Sequence, residues 1–114
     1  MVEIDTKVPK RGNIIWLDFN PTKGHEQSGK RPALVLSHQV YNRTGLVVVC
    51  PITTKSKGYN TEVLLGENDP VKGVILTNQI HTKDWMVRGI DIVGSVNNDV
   101  LAQVMIRVGV LLGI

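Results

Sequence analysis

No stretch of this chain leaves less conformational choice than Leu46–Thr53, L-V-V-V-C-P-I-T. It is β-branched almost throughout and has no polar alternate residues, so it needs burial on both faces and reads as a strand at the centre of a sheet. Other strands are expected around it. Asn13–Asn20 places Ile15, Leu17 and Phe19 on one face and Ile14, Trp16 and Asp18 on the other, and Pro32–Ser37 follows as a second apolar run. Thr61–Leu65 and Gly73–Leu76 are short strands separated by a turn through Asp69-Pro70, and Gly89–Val96 alternates well enough for a last one. His38–Gly45 reads as a short helical turn ending in a reversal, and Asn78–Arg88 as irregular. Several short strands with turn signals between them imply a small barrel or sandwich.

The C-terminal segment changes period. Asn97 is a candidate cap, Asp99 complements the helix dipole, and Val100–Leu112 spaces Leu101, Val104, Val108 and Leu111 at helical intervals. Val100, Met105, Ile106, Val110 and Leu112 widen the apolar surface beyond one stripe. A homodimer contact is expected to cover the remainder.

At 114 residues the chain is expected to be one domain, 1–114, with a core of its own. The single cysteine, Cys50, excludes an intrachain disulfide and offers no metal-ligand spacing, so it is read as a buried small hydrophobe. No signal pattern opens the chain, and the apolar tail is too short for a membrane span, so a soluble cytoplasmic protein without membrane contact is expected. The net charge of +3 is unevenly spread: residues 1–60 hold nine Lys/Arg against four Asp/Glu, which makes that half +5 and the rest −2. Either scattered lysines solvate loops, or the basic half faces a polyanion such as nucleic acid.

The richest polar segment is Pro21–Leu36, P-T-K-G-H-E-Q-S-G-K-R-P-A-L-V-L. Glu26, Lys30 and Arg31 lie in or beside a glycine-bounded loop, and Pro32 keeps Arg31 out of the α region, so the loop should end in extended chain. An arginine on that junction suits a phosphate or carboxylate held in one pose. Past the central strand comes T-T-K-S-K-G. Its Thr53, Thr54, Lys55 and Lys57 either pair locally with the backbone or form a phosphate seat. Trp16 is either a half-buried packing residue or a stacking platform at a groove mouth.

Four ordered blocks carry a resemblance that spans essentially the whole chain: G-N-I-I-W-L-D-F-N-P-T-K-G-H-E-Q-S-G-K-R-P-A-L-V-L, N-R-T-G-L-V-V-V-C-P-I-T-T-K-S-K-G-Y, G-V-I-L-T-N-Q-I and D-W-M-V-R-G. With them the sequence resembles the MazF/PemK family of toxin endoribonucleases of type II toxin–antitoxin systems. The resemblance implies a mainly β fold with α, a small SH3-like β-barrel with a C-terminal helix packed against it, and a homodimer. It also implies cofactor-free and metal-independent cleavage of single-stranded RNA at short motifs, inhibition by a cognate antitoxin, and contact with DNA only through that antitoxin. The family's key arginine, threonine and loop glutamate fall on Arg31, Thr53 and Glu26. The chain departs from the family at His25, where serine is frequent, at Asn78, where aspartate is frequent, and at Met86, where arginine can occur.

Metal-free RNA scission uses the substrate's own 2′-hydroxyl as nucleophile, so no Ser or Cys is required. Arg31 can supply charge and a proton, and Thr53 a hydrogen bond to a phosphate oxygen. Arginine is too weak an acid to serve as base, so Glu26 either accepts the proton or orients the guanidinium. A histidine mechanism is the rival, with His25 its candidate; His38 and His81 are expected at the surface. Lys55 and Lys57 are expected along the RNA backbone, with Thr54, Trp16, Lys30, Asn78, Gln79 and Arg88 as further RNA contacts. Two other classes share these features: a non-catalytic nucleic-acid-binding barrel, and a related toxin that poisons a protein target such as gyrase.

Overall fold

Period-two alternation makes Asn13–Asp18 the first strand, β1, in a computed structural model that describes residues 7–20, 24, 26 and 29–114. β2 (Lys30–Val35) runs antiparallel to it, Ile14 against Leu34 and Asp18 against Lys30. The strand was expected to open at Pro32; pairing of Lys30 and Arg31 with β1 starts it two residues earlier and puts Arg31 inside it. A one-turn helix, α1 (Gln39–Asn42), leads to β3 (Leu46–Thr53), whose bounds match the expectation. Then come β4 (Glu62–Leu64), β5 (Val74–Leu76), β6 (His81–Asp84), the short α2 (Trp85–Arg88), β7 (Asp91–Ser95) and α3 (Asn98–Leu112).

β3 is central, as its composition demanded. One flank pairs with β2, and the other pairs first with β6, Leu46 against Asp84 through Val49 against His81, and then with β5 at Ile52 and Thr53. The strand path is β4-β5-β3-β2-β1-β7, all antiparallel, with β6 attached beside β3. β6 and α2 occupy the segment read as irregular. H-T-K-D has no apolar alternation, so its strand state comes from the edge of β3 that it covers.

Both faces of the sheet are packed. Ile15, Leu17, Ala33, Val35, Val47 and Val49 build one core with Phe19 and Trp85. The alternate residues Ile14, Leu34, Cys50 and Ile52 join Val63, Ile75, Val100, Val104 and Val108 in the other. The second core is closed by α3, so the mainly β body carries its C-terminal helix packed against it, as expected. Asn97 caps α3, its side chain accepting the Val100 amide at 2.9 Å, and Gly113 ends it in the left-handed conformation. The buried line of α3 is Val100, Val104 and Val108, which leaves Leu111 of the expected stripe half exposed. No helix among the described residues is long and apolar enough to cross a membrane.

Candidate active site

Two prolines shape the cleft. Pro51 in β3 pairs with Ala33 in β2, and one residue outside that pair stands Pro32. Proline donates no ladder hydrogen bond, so β2–β3 pairing ends there. Beyond this point the strands take different partners: the start of β2 stays on β1, Arg31 against Leu17, while the end of β3 turns onto β5, Thr53 against Val74. Continuing the interrupted register one same-face step from Ala33 and Pro51 sets Arg31 opposite Thr53.

The gap between the parted strands is a cleft of about 430 Å³ lined by Trp16, Lys30, Arg31, Thr53, Thr54, Lys55 and Lys72, among others. Arg31 Nη1 lies 3.5 Å from the carbonyl oxygen of Ile52, at the long limit of a hydrogen bond. Thr53 is buried, and its hydroxyl oxygen accepts the Lys55 amide at 3.1 Å, the local pairing foreseen for a strand-end threonine. That bond uses an acceptor lone pair and leaves the hydroxyl hydrogen for a ligand. Gly73 backs the site at a φ of 128°, where a Cβ would stand 2.5 Å from the Thr53 carbonyl oxygen.

Two further clefts share walls with the first. A cleft of about 240 Å³ adjoins through Thr53 and Lys55 and is lined by Lys57, Tyr59, Glu62, Asn78 and Gln79. Another of about 260 Å³ adjoins through Trp16 and Lys30 and is lined by Asp18, Arg88 and Asp91. The sequence-derived candidates Trp16, Lys30, Arg31, Thr53, Thr54, Lys55, Lys57, Asn78, Gln79 and Arg88 therefore all face one chain of clefts. Trp16 is 41% exposed, which fits a platform better than a packing residue. Arg88 is partly committed elsewhere: its Nη1 donates to the carbonyls of Asp18 and Asn20, both at 2.8 Å, and pins the chain where the polar loop begins.

Glu26, from the loop before β2, is the remaining catalytic candidate. It is exposed, and its charge acts on His81 and Lys83. Burial, reinforced by Lys83, lowers the affinity of His81 for a proton, and Glu26 opposes the shift. Burial and Arg88 likewise lower Lys83, against Glu26 and Asp18. His81, expected at the surface, is half-buried, its ring edge-on to Phe19 with centroids 5.2 Å apart. His38 is exposed, and His25 lies outside the described residues. Cys50 is buried, and that burial pushes its thiol up to about 12, so it is held as the neutral hydrophobe expected.

Two features escaped the sequence reading. The Glu62 carboxylate accepts the Ser56 hydroxyl at 2.6 Å and the Lys57 and Gly58 amides at 2.9 and 3.1 Å, which together fix the lysine-bearing turn. The Ser56 bond, then that of Lys57, hold its carboxyl below the usual range. Tyr59, the residue after the T-T-K-S-K-G turn, is the second exposed aromatic on the clefts.

The profile of the PemK-like, MazF-like toxins of type II toxin–antitoxin systems matches residues 10–112. Endoribonuclease toxin MazF of Escherichia coli K12 is 44% identical over 107 residues, spanning 93% of this chain and 96% of that protein. Endoribonuclease toxin ChpB of the same strain is 36% identical over 104 residues, spanning 86% and 89%. Among solved structures, MazF from Deinococcus radiodurans aligns with a TM-score of 0.89 at 45% identity, covering 94% of this chain and 98% of that one. A MazE-MazF structure from the same organism gives 0.83 at 45% identity, covering 94% and 97%. With nearly its whole length matched in sequence and in fold, the chain belongs to the PemK-like, MazF-like toxins of type II toxin–antitoxin systems.

Proposed function

We propose that this chain is the endoribonuclease toxin of such a system and cuts single-stranded RNA, messenger RNA above all, at short sequence motifs without a metal ion. Its growth-inhibiting action follows from loss of translatable message. The observation that carries the reading is that Arg31 and Thr53 line one open cleft, with Lys30 and Lys55 on its walls. A phosphodiester in that cleft meets a guanidinium and a hydroxyl donor. The ribose 2′-oxygen attacks phosphorus, the bond to the 5′-oxygen breaks, and the products are a 2′,3′-cyclic phosphate and a 5′-hydroxyl. Arg31 neutralises charge on the crowded phosphorus centre and protonates the leaving oxygen; Thr53 donates to a non-bridging oxygen. Glu26 is the proposed acceptor of the 2′-proton. Its position beside His81 and Lys83 makes that the step Glu26→Gln tests, separately from Arg31.

The partners follow from the same surface. A basic cleft series is readily occluded by an acidic antitoxin segment that orders on binding, so we assign the cognate antitoxin to it. The exposed apolar end of α3 is assigned to a homodimer contact. The deciding experiment incubates purified protein with a long transcript in EDTA and maps the new ends. Cyclic phosphates at recurring motifs are expected, and Arg31→Ala should abolish them. Transcript left intact with and without divalent ions would overturn the reading and leave a binding or protein-poisoning role.

A further inference from the structure

The chain has five aromatic residues, and two of them, Phe19 and Trp85, are in the core. Of the exposed three, Trp16 lines the cleft that holds Arg31 and Thr53, and Tyr59 lines the adjoining one. Tyr59 is 62% exposed although it sits in a turn fixed at both ends. Glu62 gathers the donors of Ser56, Lys57 and Gly58, the Glu62 amide returns to the Tyr59 carbonyl at 3.0 Å, and Arg107 of α3 donates to the Asn60 carbonyl at 2.9 Å. A large ring on a fixed backbone loses little entropy when it receives a flat ligand. Its cleft, about 240 Å³, is smaller than the ~300–1,000 Å³ of sites for drug-sized molecules and suits a single planar group. Asn78 and Gln79, both bearing carboxamides, line it together with Lys55 and Lys57. Together these supply a stacking face, edge-reading amides and backbone cations, the three elements of single-stranded base recognition.

We infer that Tyr59 forms the floor of a base-binding subsite for the nucleotide adjoining the scissile phosphate, with Asn78 and Gln79 set to read its edge. The inference rests on the nuclease reading and adds the residue that seats one particular base. It is tested on a short RNA cut once, alongside a series in which each nucleotide near the cut is made abasic in turn. Tyr59→Ala is expected to lower kcat/KM on the intact RNA by roughly 5- to 150-fold, the range for one stacked base, mainly through KM. Tyr59→Phe keeps the ring and should cleave close to the wild-type rate. On one abasic RNA of the series, the wild-type protein should already have lost that factor and Tyr59→Ala should add nothing. An equal penalty on every abasic RNA, or none on the intact one, overturns the subsite. Failure of the nuclease reading is distinguishable, because the wild-type protein would then cut none of these RNAs.

Discussion

Arg31 and Thr53 line one cleft where the β2–β3 ladder would continue past Pro32 and Ile52 and does not. Pro32 and Pro51 end the pairing, β1 and β5 draw the strands apart, and Nη1 of Arg31 comes to 3.5 Å from the carbonyl of the peptide that carries Thr53. A long hydrogen bond is weak and easily exchanged for a charge-assisted one to phosphate. Arg31→Ala should therefore cut kcat by about 10²–10³-fold, the scale for losing a pre-aimed donor, with a smaller change in KM. Arg31→Lys keeps the charge and loses the fork, so it should recover only part. Single-turnover cleavage of a defined RNA separates the two effects, and an unchanged kcat in Arg31→Ala would place the chemistry elsewhere.

Lys55 and Lys57 extend the cationic wall away from that pair. If each neutralises one phosphate of a single strand, binding should weaken with salt at a log–log slope of about −0.7 per lysine. Replacing both by Ala should flatten the measured slope by roughly 1.4. RNA affinities of an Arg31→Ala background, taken from 50 to 300 mM salt to avoid turnover, provide the readout. Parallel lines for the two proteins would remove these lysines from the interface.

Gly73 supports the threonine from behind. A Cβ there would overlap the Thr53 carbonyl, and the φ of 128° is strained for any other residue. Gly73→Ala should cost at least about 1–3 kcal/mol from the backbone alone, several degrees in Tm, and should lower cleavage more than the stability loss accounts for. A thermal melt and a cleavage assay on one preparation check it. Full activity with a lowered Tm would show that Thr53 tolerates displacement.

The fold was legible where residues advertise their own burial. Leu46–Thr53 and the alternating β1 needed no partner to be recognised, and Asn97 announced α3 with its cap. β6 was not legible, because His81–Asp84 has neither alternation nor β-branched bulk beyond Thr82 and becomes a strand only by covering β3. The same division holds at the site. Arg31, Thr53 and Lys55 could be picked by chemical type, since cations and hydroxyls at strand ends suit phosphate. Glu62 and Tyr59 could not, because their roles exist only once the 56–62 turn closes on itself. Glu26 could be picked from its nearness to Arg31 in the chain, but not the reach of its charge to His81 and Lys83, which exists only once β6 is in place.

His81 gives a pH dependence with a defined sign. Burial, with Lys83, holds it below its ordinary value of 6.5, so as pH falls past that value the unfolded chain takes up a proton that the folded chain resists. Stability should therefore fall as pH drops from 6.5 toward the folded-state value and be unaffected by His81 above 7.5. Replacing His81 with Gln should flatten this segment of the profile. Urea midpoints at pH 7.5, 6.5 and 5.5 test it; wild-type and variant curves that stay parallel would assign the acid sensitivity to other groups.

The last prediction concerns the outer face of α3. Val100, Val104 and Val108 are spent on the core, while Ile106 and Val110, one turn apart, are 58% and 76% exposed and continue into the exposed Leu112 and Ile114. A second copy presenting the same line would bury both sets by a two-fold relation. Each such side chain is worth about 1.5–3 kcal/mol when fully covered, so four of them in a dimer contribute roughly 6 kcal/mol or more. At 1.4 kcal/mol per tenfold, the double variant Ile106→Glu, Val110→Glu should weaken association by more than about 10⁴-fold and run as a monomer by sedimentation at tens of micromolar. Its Tm should then depend less on protein concentration than that of the wild-type protein. Equal masses at dimer size would move the contact off this helix, and monomer masses for both proteins would remove it.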